Sequence, residues 1–133
     1  MAVAQPAISP FPDLEFMAKS AEFLDHAVEL LRASGPVRVK RMFGGWGIYR
    51  DEVFFALVMD DALFLKVDAE SAPEFDARGL PPFTFDKPSG ETVVTSYRVA
   101  PEEALESPAE MTAWARLAYA AALRARATKK RKK

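Results

Sequence analysis

Arg41-Met42-Phe43-Gly44-Gly45-Trp46-Gly47-Ile48-Tyr49 decides the fold. Three of the chain's six glycines fall within four positions here. Just before the run, Val37 and Val39 alternate with Arg38 and Lys40, the period of a half-buried strand. After it, Ile48–Tyr49 resumes strand character. A glycine-rich pivot between two strands has three readings. A phosphate cradle turns backbone amides toward an anion, but the run lacks the lysine–serine/threonine pair of a P-loop and is not the strand–glycine–helix pattern of a dinucleotide site. A stacking strand for RNA combines basic and aromatic residues on a sheet, but the spacing is imperfect and a long helix precedes the first strand. The third reading is a bulged or tightly turned hairpin, whose glycines let another strand or helix pack close. Only the third leaves no motif incomplete. Met42, Phe43, Gly44, Gly45, Gly47 and Tyr49 are therefore assigned a structural role.

Downstream, Asp51–Glu52 makes a turn, Val53 to Val58 is an apolar run on both faces, and Asp60–Asp61 makes the next turn before Leu63 to Val67. Such close spacing implies an antiparallel meander. Ser71 followed by Pro73 and Glu74 has the capping-box pattern of a short helix, which Gly79 ends. Phe83 to Phe85 and Glu91 to Val99 read as two further strands around the Lys87–Gly90 turn. Pro101 breaks the second. Ser107, Pro108 and Glu110 open a last, alanine-rich helix running to about Arg126, with Met111, Trp114, Ala115, Ala118, Ala121 and Ala122 inward.

Upstream, Met17, Ala21, Leu24, Val28 and Leu31 share one helical face, so a helix is placed at about 14–34, stopped by Gly35 and Pro36. The order α-β-β-β-β-α-β-β-α predicts an α+β fold, one antiparallel sheet of five to six strands flanked by N- and C-terminal helices. The expected organisation is a flexible arm over 1–12, one domain over 13–126 and a basic disordered tail over 127–133.

The chain has 133 residues, a length for one domain. It has no cysteine, which excludes disulfides, thiolate catalysis and iron–sulfur clusters and fits a reducing cytoplasm. The one histidine, His26, sits mid-helix with no nucleophile elbow elsewhere to serve. Asp60–Asp61 and Glu102–Glu103 read as turns rather than a converging pair. No catalytic, cofactor or metal residues are assigned. No apolar run is long enough for a membrane span, and no secretory signal is expected.

Formal charge is −1, but seven of the 18 basic residues lie in the last ten positions. The rest of the chain keeps 11 basic against 19 acidic residues, a body of −8. Arg124, Arg126, Lys129, Lys130, Arg131, Lys132 and Lys133 could hold nucleic acid weakly and without sequence preference. If the helices gather on one face of the sheet, the apolar run Val53 to Val58 leaves the other face exposed, and a homodimer is the expected way to cover it.

Arg38 to Tyr49, the Leu63-Phe64-Leu65-Lys66-Val67-Asp68 strand end, Phe83-Thr84-Phe85, and Tyr97 followed by Pro101 together resemble the N-terminal domain of the TfoX/Sxy family. The pattern Met-Phe-Gly-Gly-x-Gly-x-Tyr, held from Met42 to Tyr49, carries most of the likeness. The resemblance implies an α+β fold and a bacterial, cytoplasmic, non-enzymatic regulator of competence type, with a protein partner in transcription and no catalytic residues. The alternative is a nucleic-acid-binding accessory protein that uses its basic tail. The competence regulators of this family carry a second, helical domain, where this chain ends in the basic tail.

Overall fold

The computed structural model describes residues 12–42 and 44–131. Helix α1 spans Pro12–Arg32. Proline suits a first turn because its missing amide hydrogen is not needed there. Residues 1–11 of the expected arm lie outside the described residues, and Pro12 already belongs to the helix. The helix buries Ala27, Val28, Leu30 and Leu31. Ala21, expected on the same face, is exposed. The end is closed by Ala33 and Ser34 amides on the Leu30 and Leu31 carbonyls, and by Gly35 at φ +144°.

Strands β1 (Arg38–Met42), β2 (Gly45–Arg50), β3 (Val53–Met59), β4 (Ala62–Lys66), β5 (Pro82–Asp86) and β6 (Thr92–Val99) form one sheet in the order β1-β2-β3-β4-β6-β5. Every pairing is antiparallel. Two tight turns set the register. Arg50 pairs with Val53 across Asp51–Glu52, and Met59 with Ala62 across Asp60–Asp61. All four turn residues have positive φ, the geometry whose twist matches paired strands. The acidic pairs are thus hairpin turns. Arg38 stabilises the first by pairing with the Glu52 carboxylate at 2.8 and 3.2 Å.

The extra residue of the β2–β3 pair lies on β3. Ile48 faces Ala56 and Tyr49 faces Phe54, which leaves Phe55 as a bulge. The bulge explains the doubly apolar run. Val53, Phe55, Ala56 and Val58 enter one core, while Phe54, Leu57 and Met59 line a groove on the other side.

Helix α2 (Ala72–Ala77) follows β4. The expected capping box does not form: Ser71 makes no side-chain cap bond to the helix. Its amide donates to Asp68 Oδ1 at 3.1 Å, and its hydroxyl accepts from the Asp68 amide at 3.1 Å. Asp68 captures the serine because the Ala72 amide already bonds to its carbonyl, folding the turn back on itself. A 3-10 turn, Glu102–Glu106, leads into α3 (Pro108–Arg131). Here the cap does form, with the Glu110 amide donating to Ser107 Oγ at 3.3 Å.

The sequence pattern ends α3 near Arg126 and begins a disordered tail at 127, but the helix continues to Arg131. Alanine, lysine and arginine are good helix formers, no glycine or proline intervenes, and cations suit a helix C-terminus. Lys132 and Lys133 lie outside the described residues. Helix α3 packs on β3 and β4, and α1 packs on α3. Its inner stripe, Met111, Trp114, Ala115, Ala118, Ala121 and Ala122, is buried. Phe75 of α2 meets Trp114 edge-on at 5.0 Å. The three helices therefore share one side of the sheet.

Candidate functional site

The opposite side of the sheet carries two sets of touching rings. Register places Tyr49, Phe54, Phe64, Tyr97 and Phe85 on it. Tyr49 stacks on Phe54 at 5.2 Å, and Phe54 leans on Tyr97 at 5.4 Å. Phe64 meets Phe83 at 5.0 Å, and Phe83 meets Phe85 at 6.3 Å. Phe54 and Tyr97 sit on strands that are not neighbours, as do Phe64 and Phe83. Strands two apart are separated by about 10 Å, so these rings reach inward over the intervening strand. Arg38 lies over the Tyr49 ring at 4.6 Å and Lys66 over Tyr97 at 5.2 Å. Burial pushes the Tyr97 phenol up to about 12, with Tyr49 adding to the shift. The ring is therefore neutral throughout the physiological range.

Between the rings and the β2–β3 end of the sheet lies a groove of about 640 Å³. Met42, Trp46, Leu57 and Met59 line one part, and Phe54, Phe83, Phe85 and Tyr97 another. Its polar groups are Asp60, Thr84, Thr95 and the Tyr97 hydroxyl. Phe85 is 47% exposed, a large apolar side chain left open to solvent. This is the uncovered apolar face that Val53 to Val58 implied. Met59 was not singled out in the sequence, because the bulge at Phe55 decides which β3 residues face the groove, and Asp60 read only as a turn residue.

The glycine run borders the same groove. Gly44 has φ +80° and open space around it. A Cβ on Gly45 would overlap the Val58 carbonyl oxygen. A Cβ on Gly47 would lie 2.6 Å from Met42 Cε and 3.0 Å from Phe54 Cε1. The two glycines thus admit the β3 backbone and the groove's Met42–Phe54 floor, respectively. Tyr49 completes the run on the ring face. Phe43 lies outside the described residues.

The basic residues assigned to nucleic acid divide. Arg124 is not free: Nε and Nη2 donate to Asp68 at 2.6 and 3.0 Å, and Glu70 lies 3.2 Å away. Those bonds hold the Asp68 carboxyl well below the usual carboxylate range, assisted by the Ser71 amide and opposed by partial burial. Arg126 is exposed on α3. Lys129, Lys130 and Arg131 extend the helix backbone, and Lys132 and Lys133 lie outside the described residues.

Other chemistry-bearing residues serve the fold. His26 Nε2 lies 2.7 Å from the Leu105 carbonyl and ties α1 to the 3-10 turn. Arg50, which the sequence reading passed over, is buried at the end of α1. It donates to the carbonyls of Leu31 (2.9 Å), Gly35 (3.2 Å) and Pro36 (3.3 Å) and to Ser34 Oγ (3.0 Å). Its guanidinium lies 5.2 Å from the Phe55 ring and 5.7 Å from Tyr119. Among the described residues no group of three or more His, Cys, Asp or Glu side chains is placed to hold a metal ion. No helix among them is long and apolar enough to cross a membrane.

A family model described as the TfoX N-terminal domain matches residues 29–122. The chain belongs to the TfoX N-terminal domain family. The match begins in the buried half of α1, covers all six strands, and ends at Ala122 on the inner face of α3. It therefore takes in the whole ring face and groove, and it stops before Arg124. No curated protein matches the chain.

Proposed function

We propose that this TfoX N-terminal domain protein is a non-enzymatic regulatory module of competence-regulator type, and that its uncovered sheet face receives a protein partner in transcription. The observation that carries the reading is the gathering of all three helices on one side, which leaves aromatic and methionine side chains open on the other. Exposed apolar surface of this kind marks association sites. The few polar groups in the groove suit recognition more than proton transfer. Family membership supports the regulatory class. Self-association through the same face is part of the proposal, as is action in the cytoplasm.

The test is capture from a bacterial lysate by the full chain and by Phe85→Glu, each with and without nuclease. Phe85 is an exposed side chain, so its replacement leaves the core intact. The proposal expects a protein retained after nuclease and lost with Phe85→Glu. Retention that nuclease abolishes and Phe85→Glu leaves unchanged would favour attachment to nucleic acid through the basic end of α3. Light scattering at micromolar concentration reads the self-association: a dimer mass for the wild type and a monomer mass for Phe85→Glu.

A further inference from the structure

We propose that the groove is a binding site for a small organic cation with a flat, apolar body. The body would lie against the rings and methionines, and the Asp60 carboxylate would fix the charged end. This goes beyond the docking of a protein partner: the ligand would compete with a partner or a second copy for the same face.

Size comes first. A hollow of about 640 Å³ falls within the range of small-molecule sites. Shape and chemistry follow from the lining. Phe54, Phe83, Phe85 and Tyr97 offer ring surfaces to a planar ligand, while Met42 and Met59 supply unbranched, polarizable side chains that adapt to its edge. Gly45 and Gly47 allow that floor to be built, since side chains there would meet the Met59 and Met42 thioethers.

Charge decides the sign. Asp60 is exposed and lines the groove from the tight Asp60–Asp61 turn. Among the described residues no lysine or arginine lines the groove. Three cations flank the groove on this face: Arg38 pairs with Glu52 and the Tyr49 ring, Lys66 donates to Ser96 Oγ at 2.6 Å and lies over the Tyr97 ring, and Lys40, between Arg38 and Met42 on the edge strand β1, is exposed opposite Gly47. An anion in the groove would face the Asp60 carboxylate and the negative faces of the rings. A cation is attracted by both, and ring faces bind organic cations well where water is excluded. The body of the chain, at −8, adds a field of the same sign.

Two acridines of opposite charge test the assignment on the full chain: 9-aminoacridine, a cation at neutral pH, and acridine-9-carboxylate, an anion. Fluorescence anisotropy of the probes gives the affinities. The cation is expected to bind one per chain and about tenfold tighter than the anion, the ratio a partly solvated charge pair supplies. Asp60→Asn should abolish most of that preference, because asparagine keeps both the size and the left-handed backbone. Phe85→Ala should weaken both probes. Failure of the cation to saturate below about 1 mM, equal binding of the two, or an unchanged preference in Asp60→Asn would overturn the assignment. Lysate capture that depends on Phe85 while neither acridine binds would remove the ligand site and leave the partner-docking face standing. Charge-selective acridine binding with unchanged capture by Phe85→Glu would do the reverse.

Discussion

Arg50 Nη2 donates to the Leu31 carbonyl at 2.9 Å, joining the end of β2 to the last turn of α1 across 19 residues of sequence. The guanidinium adds a donor to a carbonyl that the Ser34 amide already bonds and serves the Gly35 and Pro36 carbonyls just beyond the helix, and its charge suits the negative end of the helix dipole. Arg50→Ala leaves the Leu31, Gly35 and Pro36 carbonyls without this donor. The expected loss is about 2–4 kcal/mol of folding stability, read from urea unfolding. Arg50→Lys should recover little, since one ammonium cannot span the same acceptors. A loss under about 0.5 kcal/mol would show that water replaces the guanidinium.

Gly44, Gly45 and Gly47 should respond differently to alanine. Gly45→Ala meets a backbone oxygen of β3 that cannot swing aside, so a loss of about 2 kcal/mol or more is expected. Gly44→Ala meets nothing but must adopt φ +80°, at a cost of about 1 kcal/mol. Gly47→Ala meets the flexible end of Met42 and should cost the least. Thermal melts of the three variants give the ranking. Equal effects would mean that backbone freedom, not close approach, explains the run.

Asp68 links stability to acid. Its carboxyl is held below the usual range by Arg124 when folded, and titrates near 3.9 when unfolded. The contribution is therefore fully present above about pH 4 and disappears as the pH falls through the folded value. Arg124→Ala should lower the urea midpoint most at neutral pH, and its gap from the wild type should narrow in acid. A gap independent of pH would show that packing of the Arg124 stem, not its charge, is what the substitution removes.

Tyr97 gives the matching alkaline effect. Its folded value of about 12 lies above the unfolded value near 10. Stability from the buried neutral phenol is complete below pH 10 and is lost as the pH rises through 12. Tyr97→Phe should flatten the decline of the melting temperature over that interval. An identical decline in both proteins would place the alkaline sensitivity elsewhere.

Much of the fold follows from local chemistry. Alternation at Val37–Lys40, the paired acidic turns, the Ser107–Glu110 cap and the alanine stripe of α3 each depend on neighbours a few residues away, so the element order is legible in the chain. The motif from Met42 to Tyr49 also identifies the family. At the expected capping box, Asp68 three residues earlier takes the Ser71 hydroxyl from the helix it precedes, and Arg124 from α3 in turn holds Asp68.

The candidate site was less legible. The run Val53 to Val58 announces apolar surface on two faces but not its division. One bulged residue, Phe55, shifts the alternation so that Leu57 and Met59 join Phe54 at the groove. Arg50 reads as an ordinary strand-end cation until α1 is laid beside it. Asp60 reads only as a turn residue until Phe83 and Phe85 reach the same hollow from the far edge of the sheet. Sequence alone determined the elements and the family, because helix caps, hairpin turns and strand periods act over a few residues. Tertiary structure alone decided which face stayed uncovered and which charges were already paired, because those depend on register and on contacts between residues tens of positions apart.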